Sequence, residues 1–483
     1  MRVDRFGHVT GQGDGVAATP ARGAAPGSLG SHSVVYLVGT ALQGLGILLI
    51  LPFATRLLGD AEYGKVATAL VIIQMVGTIA AAGLPQVILR EYHRGADGPT
   101  AGRALAGTMT LLAVGLAVVG AVIGAVLGAA DLVDLREWVL VVVASAALTT
   151  VVAGQSLSRA RLRPFEFLVL AVAATVVAHL AGLLAARGDR AGLTYLTAYT
   201  AALVVAAVAA IAIGRPLLPT AARERTRAGV RLAAPLLPQA LAMLGLLMGD
   251  VLLVNVFLGQ AAAGAYQVAL QLANMPFVLA VALFNAWGPL VLSHPVEDRW
   301  RWTARTATSF VVVVGVGAAG VALLGPWLVR VMAPGFPQRS MSVSLGLITV
   351  VSVAYMVYQG ASLAVLDHEH TGRLAIAAAI AVVVLVAGAA WFNGPAGIAG
   401  VAGAKAVAYV VLMAVTVHAA RTLTPLRFGP WLWVAGAAAA ALSVAGALLP
   451  STGTGAVVRL VLVVALGSVA LMLTPRVLRS VRG

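Results

Sequence analysis

Two ionisable residues fall deep inside long apolar stretches: Asp250, within 233–257, and Lys405, within 397–419. An ionised group at the bilayer centre costs about 2.5–3.5 kcal/mol on insertion scales, so each marks a position that pairs or works. A carboxylate and an ammonium in the same half of a chain allow two chemistries. They lock two helices as an ion pair, or the ammonium meets a phosphate while the carboxylate relays a proton or binds a cation. A third reading has one of them snorkel to an interface. Arg56 closes the first apolar stretch. Its guanidinium fork suits a diphosphate, and an arginine at a helix end also snorkels to headgroups. Arg90, Arg103 and Arg305 stand at the other ends of the second, third and ninth stretches. They set topology, or they form an electropositive mouth for anionic headgroups. Gln267, Gln271 and Asn274 recur at spacings of four and three, so they share one helix face. That face lines a polar cavity or joins helices through amide hydrogen bonds.

Other chemistries are absent from the residue list. There are no cysteines, which removes disulfides and thiolate metal sites. No G-x-x-x-x-G-K-[ST] loop is present to hold a nucleotide. His179 and His418 are isolated and read as packed rather than ligating. No catalytic constellation, metal or cofactor is expected, and the chain reads as a non-enzyme.

The elements that place these residues follow from composition. The chain has 483 residues, 60% hydrophobic and 10% charged. A soluble domain carries roughly 25% charged residues, so this chain cannot coat a soluble particle. Its apolar residues come in blocks of the roughly 20 residues that a helix needs to cross a bilayer. An all-α membrane protein of about fourteen transmembrane helices is expected. The spans read 33–54, 66–89, 104–130, 138–157, 166–186, 193–213, 233–257, 265–291, 306–331, 341–365, 374–392, 397–419, 430–449 and 456–473. Residues 1–32 read as a disordered cytoplasmic tail and 215–232 as a basic linker. With the N-terminus inside, Arg56, Lys65, Arg136, Arg187, Arg190, Arg330, Arg339 and Arg459 fall outside, and Lys405 falls within a helix. Every other cation falls on the cytoplasmic side, as the positive-inside rule demands. Both termini are therefore expected in the cytoplasm. The net charge of +15 belongs to this topology and not to nucleic acid.

The order of elements contains a repeat. Leu58-Gly59-Asp60-Ala61-Glu62-Tyr63-Gly64 and Leu258-Gly259-Gln260-Ala261-Ala262-Ala263-Gly264 both read L-G-x-x-x-x-G, 200 residues apart, at equivalent hairpins. Gln155 and Gln359 recur at the fourth and tenth helices. A six-helix unit is even, so the two lobes, 33–214 and 233–420, are parallel repeats around a central cavity. Residues 421–483 add two further helices and a short tail. Such lobes suit alternating access. Pro85, Pro276 and Pro289 are expected to bend their helices.

The stretch Leu51-Pro52-Phe53-Ala54-Thr55-Arg56-Leu57-Leu58-Gly59 with Glu62-Tyr63-Gly64 resembles the first hairpin of the polysaccharide-biosynthesis, O-antigen flippase-like family. Gly83-Leu84-Pro85 with Arg90 resembles its second helix, and Asp250, Leu258-Gly259, Gly264 and Tyr266 its seventh and eighth. The resemblance implies the multidrug/oligosaccharidyl-lipid/polysaccharide exporter superfamily. Its flippases move polyprenyl-pyrophosphate-linked oligosaccharides outward across the bacterial inner membrane, through a cavity lined by polar and cationic residues. The candidate substrate contacts are then Arg56, Lys405, Gln267, Gln271, Asn274, Arg90 and Arg305, with Asp250 for coupling or ion pairing. The implied partners are a lipid-linked oligosaccharide, anionic membrane lipids, and a polysaccharide polymerase or glycosyltransferases. Lys405 departs from the family pattern, in which small residues dominate the twelfth helix. The competing expectation is a cation-coupled multidrug or small-molecule antiporter. That chemistry needs intramembrane carboxylates, and the chain offers Asp250 with none in the first helix.

Overall fold

A computed structural model describes residues 26–81, 83–233, 237–368 and 370–482, with side chains from 48 to 472 apart from 286, 470 and 471. The expected tail lies outside the described residues up to 25. Its last residues are already helical, because Pro26 opens the first helix, where a missing N–H costs nothing.

Pro26–Ala81 runs as 56 helical residues with one break at Gly59. A straight helix of that length would measure about 84 Å at 1.5 Å per residue, twice the roughly 40–45 Å of a bilayer with its headgroups. Gly59 divides it into α1 (26–58) and the first part of α2 (60–81), and Leu84–Tyr92 completes α2 after Gly83. Then follow α3 (Gly98–Ala129), α4 (Leu135–Ala160), α5 (164–185) and α6 (Gly192–Gly214). A one-turn π-bulge, Ala173–Val177, interrupts α5. The linker contains a short amphipathic helix, Arg223–Ala233. It is followed by α7 (Leu237–Leu258), α8 (260–293, broken at Asn274), α9 (Arg299–Met332) and α10 (Gln338–Asp367). Thr371–Leu423 is divided at Gly397 into α11 (371–396) and α12 (398–423), and α13 (Pro430–Leu448) and α14 (Gly453–Arg482) close the chain. All fourteen expected helices are present. Helix is the form demanded here, since lipid offers no partner to an exposed backbone N–H or C=O.

The end of the bundle that carries Gly59 and Gly259 is called the turn end, and the end that carries 215–232 the linker end. The two turns have nearly the same backbone, φ 75°, ψ −178° at Gly59 and φ 85°, ψ 176° at Gly259. The sequence repeat is thus a repeat of one left-handed conformation that glycine alone adopts without strain. Five residues further on, the copies meet. A Cβ at Gly64 would overlap the carbonyl of Gln260, and a Cβ at Gly264 would overlap the carbonyl of Asp60. The contact is reciprocal, each α2 or α8 glycine lying against the first residue of the other helix, as across a two-fold axis.

One apolar core runs through both lobes. It includes Leu51, Ile73, Tyr195 and Leu203 of the first lobe and Val251, Tyr266, Val314, Ile348 and Tyr409 of the second. A smaller, separate core of Leu84, Val87, Ile88, Leu105, Met109 and Leu157 sits at the linker end of the first lobe, where Ala233 of the linker helix packs. α13 packs on α9 and α10, and α14 on α9, so the last two helices belong with the second lobe.

Two of the three expected proline bends coincide with breaks. Pro85 and Pro276 each sit in the first turn of the segment that restarts after Gly83 and Asn274. Pro289 lies inside a continuous helix, Met275–Ser293, as membrane helices can absorb a lost hydrogen bond through neighbouring groups.

Candidate functional site

The two intramembrane charges meet. Lys405 Nζ of α12 lies 2.9 Å from Asp250 Oδ2 of α7 and donates to the carbonyl of Leu247 at 2.7 Å. Tyr266 of α8 donates its hydroxyl to the same carboxylate oxygen at 2.5 Å. Asp250 and Lys405 are 0% and 1% exposed, which makes this a buried, charge-assisted tie among three helices. Asp250 Oδ1 has no hydrogen-bond partner among the described residues. Two of the three ammonium donors are accounted for by these bonds. Lys405 is therefore engaged inside the second lobe and not presented toward the first.

Aromatic rings surround the tie. Tyr409 follows Lys405 by four residues, so it shares the same face of α12. Its ring lies 6.3 Å from Tyr355 of α10 and 6.4 Å from Phe277 of α8, and Phe277 and Tyr355 are 4.3 Å apart. Tyr358 is 5.6 Å from Tyr355. Phe277 comes three residues after Asn274 and extends the polar row of α8. Along that row burial falls away from the Gly264 contact: Gln267 is buried, while Gln271, Asn274 and Phe277 are half-buried. The Gln267 amide oxygen has no partner among the described residues.

At the turn end the lobes are tied by polar bonds as well as by the glycines. Thr55 donates to the carbonyl of Met332 at 2.5 Å, and exposed Arg56 donates to that of Val331 at 2.9 Å. Both carbonyls belong to the last turn of α9, where a helix leaves its acceptors unpaired. Tyr63 and Phe336 stack edge-on across the same junction, 6.3 Å apart. Lys65, Thr68, Asn255 and Gln260 line a crevice of about 540 Å³ that crosses the junction. At the linker end, the polar ties among the described residues run within a lobe or to the linker. Arg161 donates to Ile213 and Gly214, Arg225 of the linker helix to Arg94, and Arg299 pairs with Asp367. Arg90 is exposed and lines a 400 Å³ hollow with Arg94 and Arg225. Arg103 donates to the carbonyl of Arg215 at 2.7 Å, and Arg305 is exposed. The structure thus gathers Asp250 with Lys405, and separately the amide row. Arg56 lies at one end of the bundle and Arg90 and Arg305 lie at the other.

The first lobe has its own buried polar tie. His179 of α5 is 2.8 Å from the hydroxyl of Tyr195 on α6, and Tyr199 lies against the His179 ring at 4.9 Å. His179 is packed, as its isolation implied, whereas His418 is exposed. Sequence reasoning passed over Tyr266 as a carboxylate partner, and Tyr355 and Tyr409 altogether. The signal for Tyr409 was its spacing of four from Lys405. Tyr266 is sixteen residues from Asp250 across a one-residue turn, and only the turn's geometry connects them.

Two lobes of transmembrane helices, joined at one end and enclosing buried polar groups, define an all-α membrane protein with the fold of transporters. The model of the family described as polysaccharide biosynthesis protein matches residues 29–293, and the chain belongs to that family. No curated protein matches the sequence. Among solved structures, the lipid II flippase MurJ in an inward closed conformation superposes with a TM-score of 0.65 at 12% identity, covering 90% of this chain and 98% of that one. An inward-facing multidrug resistance MATE family transporter of the MOP superfamily gives 0.57 at 15% identity, covering 81% and 97%. A mutant of the Vibrio cholerae MATE transporter VcmN gives 0.54 at 13% identity, covering 84% and 98%. These likenesses establish the fold, and the resemblance read from the first hairpin is borne out.

Proposed function

We propose that the protein is a flippase that carries polyprenyl-pyrophosphate-linked oligosaccharide across the bacterial inner membrane, by alternating access, for envelope polysaccharide assembly. The observation that carries this reading is the reciprocal Gly64–Gly264 contact, which joins two like lobes at the turn end, within a chain of the polysaccharide biosynthesis family. In this reading the turn end is the outer end and the linker end is cytoplasmic, so the lobes are closed outside and receive substrate from within. The sugars meet Gln271, Asn274 and the half-buried rings of Phe277 and Tyr355, where amides bond hydroxyls and rings stack on sugar faces. Arg90 and Arg305 raise the positive potential of the cytoplasmic entrance, attracting the diphosphate. Arg56 holds the outer closure through α9. Asp250 and Lys405 form a lock in the second lobe whose partner exchange accompanies rocking.

The antiporter alternative finds support in the MATE-like fold, but its coupling site would fall on Asp250, and that carboxylate is already held by Lys405 and Tyr266. Deletion of the gene tests the choice. Polyprenyl-linked repeat units should accumulate on the inner leaflet, with restoration by the wild-type chain. Unchanged export of every envelope glycan in the deletion strain overturns the proposal.

A further inference from the structure

Between the turn ends of α9, α10, α13 and α14 lies a cavity of about 460 Å³, lined by three arginines, Arg330, Arg339 and Arg459, together with Gln338 and Ser342. The innermost of them, Arg459, is fully buried. Pro326 explains how it is held. Proline has no N–H, so the carbonyl of Ala322, four residues earlier on α9, loses its helical partner. Arg459 supplies one: its Nη1 donates to Leu323 at 2.7 Å and to Ala322 at 3.5 Å. Its Nε donates to Pro450 at 3.1 Å and its other amino group to Leu449, both just past the end of α13. All four partners are neutral carbonyls. Burying a cation among dipoles alone leaves its charge uncompensated.

The other two arginines are exposed, and neither forms an ion pair among the described residues. No carboxylate stands near enough in sequence to supply one. The turn-end connections of the second lobe and its appended pair, 258–264, 332–338, 392–398 and 448–454, contain neither Asp nor Glu. Gln338 and Arg339 also form the first turn of α10, where helix N–H groups remain unpaired and favour negative charge.

We propose that this cavity is an anion site for a phosphate or diphosphate ester on the headgroup of an amphiphile in the adjoining leaflet. Arg330 and Arg339 grip the phosphate oxygens through two forks each able to bond bidentately. Arg459 neutralises the ligand from behind and fixes the cavity wall. Leu448, 70% exposed beside it, offers apolar surface to the chain that follows the headgroup. The site lies apart from the lobe interface, so it stands whether or not the transport reading does. Two sources carry this chemistry, an anionic phospholipid and a polyprenyl diphosphate.

The test uses the full-length protein in nanodiscs. The substitutions are Arg330→Gln with Arg339→Gln, both exposed, and thermal unfolding checks that the fold is kept. Arg301→Gln, an exposed arginine at the opposite end of α9, is the control. Two probes are applied: phosphatidylglycerol retained after extraction, counted by native mass spectrometry, and inorganic pyrophosphate titrated in phosphatidylcholine discs. The double variant should bind about tenfold more weakly or worse, having lost two charge-assisted partners, while the control is unchanged. A loss seen only for phosphatidylglycerol assigns the site to leaflet phospholipid. A loss seen for pyrophosphate assigns it to a diphosphate carrier. Equal binding of both probes by wild type and double variant overturns the proposal. Flipping assayed in parallel separates this result from the transport reading.

Discussion

Each lobe ties its helices together with a buried polar contact, but the two contacts differ in kind. In the first lobe His179 and Tyr195 share a single hydrogen bond between α5 and α6, flanked by Tyr199. In the second, a full ion pair between Asp250 and Lys405 joins α7 to α12, with Tyr266 of α8 as third member. The turn ends differ in the opposite sense. Asp60, Glu62, Asp131, Asp134, Glu137 and Asp189 all lie in the first lobe, interleaved with Arg56, Lys65, Arg136, Arg187 and Arg190, whereas the second lobe shows arginines alone. Some of the first lobe's charges neutralise one another: Lys65 pairs with Glu62 at 2.6 Å. Asp189, capped by the Thr194 hydroxyl and the Ala191 amide, has its carboxyl held below the ordinary range. One lobe thus keeps its charges in water and a neutral tie inside. The other keeps an ion pair inside and unbalanced cations at its rim. Similar backbones therefore carry different electrostatics, and the second lobe has the groups through which a charged ligand or proton would act on the structure.

The ion pair is the place to break this contrast most deeply. Lys405→Met leaves Asp250 buried without its cation, a change that costs about 3–5 kcal/mol, read as a large drop in thermal stability of the purified protein. Adding Asp250→Asn should restore most of it, since neither charge is then buried alone. A double variant as unstable as the single one would refute a mutual lock. Next in size is the junction. Gly64→Leu drives a side chain into the backbone of Gln260, and overpacking costs about 1–3 kcal/mol. The lobes should part at the turn end. Cysteines placed at Thr55 and Met332, in a chain that has none of its own, crosslink readily in the wild-type background and poorly in this variant. Persistent crosslinking would show that the glycines do not hold the closure. The neutral tie should matter less: His179→Phe leaves the Tyr195 hydroxyl without its partner at a cost of about 1–2 kcal/mol, measured by the same melting experiment. A loss equal to that of Lys405→Met would erase the distinction between lobes. Smallest is Arg56→Gln, which removes an exposed bond to Val331 and should cost about 0.5–1 kcal/mol. Its crosslinking yield at the Thr55–Met332 pair should fall only slightly.

Much of this architecture was readable from residues. Long apolar blocks gave all fourteen helices, because lipid leaves the backbone no other solution. The matched L-G-x-x-x-x-G segments pointed to a duplicated turn, and glycine's freedom at positive φ is why the pattern survives in both copies. Asp250 and Lys405 were visible as charges where charges are costly. What was hidden depends on distance along the chain. Arg56 meets α9 across 275 residues, and Thr55 meets it across 277, which no local period encodes. The π-bulge of α5 lies in Ala-Ala-Thr-Val-Val, a sequence with nothing to separate it from ordinary helix. Prolines are ambiguous for a related reason. Pro85 and Pro276 stand at breaks while Pro289 does not, and the difference lies in neighbouring residues: Gly83 and Asn274 each precede their proline by two positions and end the helix before it.

The stitch made by Arg459 sets a mechanical rule. By bonding α9 and the end of α13 to α14, it makes the appended pair a passenger of one half of the molecule. If the lobes rock as proposed, six helices swing against eight, and the heavier body sweeps its arginine-lined rim through the surrounding leaflet. Any lipid gripped there would travel with that body and add its drag to every stroke.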